Sequence, residues 1–463
     1  MAERFDSQMP PRIPANEVDF HPHSFCDPGG RLFRWEGEIY RGITPRWSPL
    51  LRRLLQSGIV SSLVDRGLLI DTKLVPWVLD GYESVLWHRS VQFPSYPNEW
   101  CPPMFKQAVV TILDLTIELA GHGLTLQDAH PWNLLIDGTA PVYVDLTSIA
   151  ALRDESVWPA QDEFNRFCLY PLLLMSHGYD RIARGLLATD EGVLPEYVDK
   201  LARASVFGPT VNSLARFLTS TIRSRLRRLM RIHEEKSVRE RLCRLRSEIQ
   251  DLGFPYMDAR KDASAPMSSQ QSGSLEDPMP SQAKQKAITQ VIERLQTRTL
   301  LGAGRDHACY ALAAARSGMH AVTFSSDISE VATLHRTASK EQLPVLPLVM
   351  DIAKPTPSMG IGNHWFIAAA ERLQCETVLA LDVVQELVSR RHLDFRRTIE
   401  CVTEFASKWL LIEWDESWRP EAEEPPLEPN SLEHVVVELR KRFREVRVIE
   451  SHPAPSALLI CEK

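Results

Sequence analysis

The chain of 463 residues has a length suited to two or three domains, 44% hydrophobic and 24% charged residues, and a net charge of −7 that does not favour nucleic acid as the main partner. No stretch approaches the roughly 20 apolar residues of a membrane span, and "MAERFDSQMPPRIP" lacks the apolar core of a signal peptide. The eight cysteines are scattered without close pairs, which argues against a zinc site or disulfide framework and for a reducing, cytoplasmic setting.

Residues 1–20 are polar and Pro-rich and read as a flexible lead-in. "RLFRWEGEIYRGI" (31–43) predicts a hairpin around Glu36-Gly37, residues 45–69 a helix broken at Gly58, and "YESVLWHRSV" (82–91) a strand. Residues 102–123 predict a helix with Pro in its first turn and Gly at its exit. Its apolar face is expected to carry Val110, Leu113, Ile117 and Ala120. A largely helical region follows to about residue 253. It ends in a basic stretch, 221–246, that reads as an amphipathic helix burying Leu226, Leu229, Leu242, Leu245 and Ile249 rather than as a polyanion site. Residues 257–285, rich in Ser, Pro and Gln without periodicity, read as a disordered linker between an N-terminal domain (21–256) and a C-terminal one (286–463).

The segment "LTLQDAHPWNLLIDGTAPVYVDLTS" (124–148) places Asp128, then Asn133, then Asp145 at the end of a short hairpin. Phosphotransferases of the kinase type use this spacing: the first Asp orients an acceptor hydroxyl, and the Asn and second Asp hold magnesium. On that reading Asn133 and Asp145 would be the magnesium ligands, and no other metal site is expected. The remaining parts fit less well. "CDPGGRLF" is the nearest approach to a Gly-rich phosphate loop; Arg41 is the candidate for the place of the anchoring lysine of strand three, and Lys73 has the wrong context. The local alternative has Asp128 capping the turn at Ala129–Pro131 and Asn133 satisfying loop backbone.

After residue 285 short apolar runs alternate with helix-length segments, which implies a mostly parallel α/β sheet closed by an antiparallel terminal hairpin. In such sheets a nucleotide-type cofactor binds at the carboxyl ends of the strands. There the sequence offers Gly302 and Gly304 in a turn, Asp306 at the start of a helix, Ser325 with Asp327 after strand two, and Asp351 with Ile352 after strand three. His364, Asp382 and Glu386 are candidate bases for an acceptor hydroxyl.

The order of these segments, with "LLGAGRDHACYALAAA", "LPLVMDIAKPTPSMG" and "VLALDVVQELVSRR", resembles the class I S-adenosylmethionine-dependent methyltransferases. The resemblance implies a Rossmann-like fold, with S-adenosylmethionine near Gly302, Gly304, Asp306, Asp327, Asp351 and Ile352, and weak catalytic candidates in Asp382 and Glu386. Three positions depart from the family. Leu300 stands where an acid usually holds the cofactor ammonium, Asp306 replaces the last glycine of the turn, and Ser325 replaces the strand-two acid; Asp306 or Asp327 is placed to compensate. A lost charge-assisted hydrogen bond weakens binding by about 1.5–3 kcal/mol.

With "HPHSFCDPGGRLFRWEGEIYRGI" and the 93–148 segment included, the chain resembles a bacterial two-part family in which a kinase-like, α+β region precedes a methyltransferase domain. That family includes host-specific nodulation proteins of rhizobia. The resemblance implies a methyltransferase acting on a small signal molecule or its precursor, with an unnamed acceptor. The alternatives are a catalytically degenerate binding or scaffold protein and an ATP-dependent phosphotransferase built on Asp128, Asn133 and Asp145.

Overall fold

The computed structural model describes residues 11–204, 237–254, 282–305, 307–389, 391–415, 431–451 and 456–463. Most of the 257–285 segment, residues 221–236 of the basic stretch with Leu226 and Leu229, and Asp306 lie outside the described residues.

The N-terminal half opens with a five-stranded antiparallel sheet in the order β1-β2-β3-β5-β4. Its strands are β1 Asp19–Phe20, β2 Gly30–Trp35, β3 Glu38–Ile43, β4 Thr72–Val75 and β5 Ser84–His88. The hairpin β2–β3 turns at Glu36 and Gly37, both in the left-handed region (φ 50° and 81°). Two helices, Ser48–Gln56 and Ile59–Asp65, are separated at Gly58, whose φ of 80° ends the first. The long helix Pro102–Gly121 starts on its prolines and ends before Gly123, in the left-handed region with φ 69°.

That helix differs from expectation in one respect. Val110 and Ala120 are only half-buried, whereas Met104, Phe105, Ala108, Val109, Ile112, Leu113, Leu115 and Leu119 are fully enclosed. The helix is central rather than amphipathic. It packs against β6 (Leu124–Leu126), β8 (Ala140–Tyr143), the helix Val238–Gln250 and the helix Ile328–Glu341 of the C-terminal half, so apolar residues are needed on more than one face. Within Val238–Gln250, Leu242, Leu245 and Ile249 face inward, Arg239 and Arg244 are exposed, and Arg246 forks onto the Asp114 carboxylate (2.5 and 3.1 Å).

The C-terminal half is a seven-stranded sheet in the order β12-β11-β10-β13-β14-β16-β15. The strands are β10 Thr299–Ala303, β11 His320–Ser325, β12 Val345–Val349, β13 Cys375–Ala380, β14 Ala406–Asp415, β15 Glu445–Glu450 and β16 Ser456–Glu462. The first five run parallel; β16 lies antiparallel between β14 and β15. The central strands are buried on both faces, as helix-covered parallel sheets require.

The two halves share one continuous apolar core. Its polar fastening is a buried ion pair between Glu99, from the N-terminal half, and Arg372 (side chains 1% and 2% exposed). Arg184 adds hydrogen bonds to the carbonyls of Asn98 (2.8 Å) and Val349 (3.0 Å). The Tyr96 hydroxyl accepts the Ile367 N–H at 2.9 Å. Among the described residues no helix is long and apolar enough to cross a membrane, and no group of three His, Cys, Asp or Glu is placed to hold a metal.

Candidate functional site

In the N-terminal half, Arg41 on β3 reaches the segment 124–148. Its Nη1 lies 2.7 Å from Asp27 Oδ2, from Asp145 Oδ1 and from Thr147 Oγ1. All three charged side chains are largely enclosed, at 5% exposure for Arg41, 19% for Asp27 and 17% for Asp145. Asp27 also accepts the Gly29 N–H at 2.7 Å, which folds "CDPGG" over Thr147. A Cβ on Gly29 would stand 2.7 Å from that of Thr147, so only glycine permits this approach. Lys73 points away and pairs with Asp71 at 3.2 Å, largely exposed. Among the described residues Arg41, not Lys73, is thus the cation paired with Asp27 and Asp145.

Asp128, Asn133 and Asp145 are brought together around Tyr143. The Tyr143 hydroxyl donates to the Asp128 carbonyl (2.7 Å) and accepts from Asn133 Nδ2 (3.2 Å); Asp145 caps the turn that begins the next segment by accepting the Thr147 N–H (3.2 Å). The Asp128 carboxyl is held above its ordinary pKa by burial, then by the charges of Asp145 and Asp27. Asn133 bonds a buried phenol rather than loop backbone, which differs from the local alternative.

Glu163 accepts the Ala129 N–H at 2.8 Å, and its pKa is raised from 4.5 to about 7, first by burial and then by Asp128. The folded state thus favours its protonated form. That stabilisation is complete below pH 4.5 and is lost as pH rises to about 7. Glu163→Gln is expected to flatten the fall in unfolding free energy across this window, measured by urea denaturation at a series of pH values. An unchanged slope would contradict the assignment.

In the C-terminal half the glycine turn follows β10. Gly304, with φ 122°, sits so close to Val383 that a Cβ would lie 2.4 Å from Cγ2; one on Gly302 would meet His307 Cβ at 2.7 Å. Both positions must stay glycine because the chain's own His307 and Val383 side chains take the space of a Cβ. Leu300 is fully buried in the apolar layer behind the sheet.

At the end of β11, Ser325 donates to Glu330 Oε2 at 2.6 Å. Asp327 is spent as a helix cap, accepting the N–H groups of Ser329 (2.8 Å) and Glu330 (3.3 Å). Glu330, one helical turn into Ile328–Glu341, therefore brings a carboxylate to the strand end, which linear spacing did not reveal. After β12, Asp351 is bound by Arg391 (Nη1 to Oδ2, 2.6 Å), and Ile352 lies in the core at 5% exposure. Asp382 ends β13 with φ 54° and a 74% exposed side chain. Glu386 is half-exposed, 3.9 Å from Arg391, and His364 is exposed on the loop after β12.

The two halves also meet through aromatic rings. Trp132, inside the 128–133 loop, packs on Phe366 with ring centroids 4.6 Å apart, and Tyr96 meets both rings.

No family model matches the chain. In sequence it is 25% identical over 417 residues to nodulation protein NoeA of Rhizobium meliloti (strain 1021), a match spanning 84% of this chain and 83% of that protein. Among solved structures it is similar to magnesium protoporphyrin IX methyltransferase (ChlM) from Synechocystis PCC 6803 with bound SAM, at 14% identity and TM-score 0.27, covering 38% of this chain and 75% of that one. It is also similar to the bifunctional kinase-methyltransferase WbdD, at 13% identity and TM-score 0.28, covering 38% of this chain and 37% of that one.

Proposed function

We propose that the chain is an S-adenosylmethionine-dependent methyltransferase acting on a small molecule, with a kinase-like N-terminal half that supports the site rather than transferring phosphate. The observation that carries this is the strand order of the C-terminal sheet, with its last strand inserted antiparallel and a glycine turn after its first strand. This is the arrangement expected of class I methyltransferases.

The residues present fit that cofactor. The Gly302–Gly304 turn ends β10, where the backbone of a parallel sheet meets such a cofactor, and the Ser325–Glu330 pair offers an acceptor for ribose hydroxyls. Asp351 stands where the adenine end would lie, steadied by Arg391; Ile352 supports it from the core, and the cap formed by Asp327 fixes the helix that presents Glu330. S-adenosylmethionine supplies an already activated methyl group, so the chain's own work is positioning, with a base needed only for a hydroxyl acceptor. Of the three candidate bases, Asp382 and His364 are exposed, whereas Glu386 shares Arg391 with Asp351. Likeness to a nodulation protein over most of the chain supports an acceptor among signal molecules or their precursors in host-specific nodulation.

For the N-terminal half, strand order, the helices after β3 and the Asp128/Asn133/Asp145 grouping support a kinase-like shell. Arg41 argues against phosphotransfer, because its guanidinium already engages the carboxylate that would hold magnesium.

Calorimetric titration with S-adenosylhomocysteine is expected to give saturable binding. Gly304→Ala should weaken it by at least about tenfold, the cost of one misplaced backbone contact. Absence of heat and of any thermal shift at millimolar ligand would sink the proposal.

A further inference from the structure

The ends of β13 and β14 hold a charged cluster that the cofactor reading leaves unexplained. Glu413 on β14 is only 2% exposed, and its Oε1 accepts the Ser451 hydroxyl at 2.9 Å. Burial, then the charge of Asp382, pushes its pKa from 4.5 to about 7. The Lys284 ammonium lies 2.5 Å from Glu413 Oε2 and 3.6 Å from Asp382 Oδ2.

Lys284 comes from elsewhere in the chain, the first turn of the helix Gln282–Leu295. A cation is disfavoured there, because the orphaned N–H groups give a helix N-terminus partial positive charge, and this turn has no acid of its own. The two strand-end carboxylates therefore hold Lys284 against its local preference. Asp382 is itself strained, a non-glycine residue at φ 54°, which marks positions that the surroundings over-determine. It directly precedes Val383, the residue packed against Gly304, so the cluster borders the glycine turn.

Among the described residues the same turn offers no acid to an incoming ammonium, since Leu300 is enclosed in the apolar layer. A buried ammonium needs a carboxylate partner. Asp382 and Glu413 form the neighbouring pair able to provide one, and an internal ammonium now occupies it.

We propose that Lys284 fills, from within the chain, a cation subsite formed by Asp382 and Glu413, and that the start of helix Gln282–Leu295 is a strap which the ammonium of a nucleoside ligand bearing its amino acid through a 5′ sulfur displaces. The inference rests on the S-adenosylmethionine reading and adds to it a site for the amine and an autoinhibitory contact. Lysine suits the part, since its four-carbon stem lets the charge swing to water once replaced.

The test uses the full chain, unmodified and as Lys284→Met, titrated with S-adenosylhomocysteine and with 5′-methylthioadenosine, which shares the nucleoside but has no amine. Lys284→Met is expected to bind S-adenosylhomocysteine about tenfold to a hundredfold more tightly, the worth of a charge-assisted contact, and 5′-methylthioadenosine with unchanged affinity. Asp382→Asn, which keeps the side chain's size and suits a positive φ, should cancel most of the gain when combined with Lys284→Met. Unchanged or weaker S-adenosylhomocysteine binding by Lys284→Met, beside a binding unmodified chain, overturns the subsite alone. An equal gain for both ligands also overturns it, leaving only a steric cover. If neither protein binds either ligand, the cofactor reading falls and the strap falls with it.

Discussion

Arg372→Met is expected to lower the free energy of unfolding by about 3–5 kcal/mol, because it leaves the Glu99 carboxylate buried without its cation. The guanidinium also donates to the carbonyls of Pro94 (2.6 Å) and Ile367 (3.1 Å) and lies 4.0 Å over the Tyr96 ring, while Glu99 accepts the Tyr96 N–H at 2.8 Å. Every one of these contacts bridges or braces the junction of the two halves, so both should lose stability together. Methionine keeps the apolar bulk and removes only charge and donors. Urea unfolding followed by tryptophan fluorescence reads the change. A loss below about 1 kcal/mol, the range of an exposed pair, would show that the junction does not depend on this ion pair.

Arg41→Met is the second large change, also expected to cost about 3–5 kcal/mol at neutral pH. Asp27 and Asp145 would face each other with the Thr147 hydroxyl between them and no cation. Burial already raises the Asp27 pKa above 3.8, with Arg41 opposing it; without Arg41 the rise is larger. A carboxyl whose folded pKa lies above its unfolded value loses stability as pH rises between the two. The deficit of Arg41→Met should therefore shrink as the solution is acidified toward about pH 4, measured by denaturation at both pH values. A deficit that stays constant with pH would mean that the arginine acts by packing alone. Magnesium-dependent nucleotide binding by the unmodified chain would count against the proposal that this half transfers no phosphate.

Much of the architecture is legible in the linear chain because it depends on local rules. The β2–β3 hairpin follows from Glu36-Gly37, the helix break from Gly58, and the start of the long helix from its prolines. The alternation of apolar runs after residue 298 dictates a covered parallel sheet, since strands buried on both faces have no polar positions to spare. The spacing of Asp128, Asn133 and Asp145 suggests a shared site; the fold joins Asn133 and the Asp128 carbonyl through the Tyr143 hydroxyl, while Asp145 pairs with Arg41.

The order of residues along the chain by itself determined the element types, the division between an α+β half and an α/β half, and the glycines that must bend the backbone. Only the tertiary structure decided which charges meet. Arg41 and Asp145 are 104 positions apart, Glu99 and Arg372 are 273 apart, and Lys284 reaches Glu413 across the sheet. Spacing cannot reveal such pairs, since no helical or strand period links them. The one trace each leaves is a charged residue inside an apolar stretch, as in "IYRGI" and "LLIEWD", where burial demands a partner without saying who it is. In the same way the fold turned Asp327 into a cap and promoted Glu330 to the strand end, because one helical turn, not sequence adjacency, sets what faces Ser325.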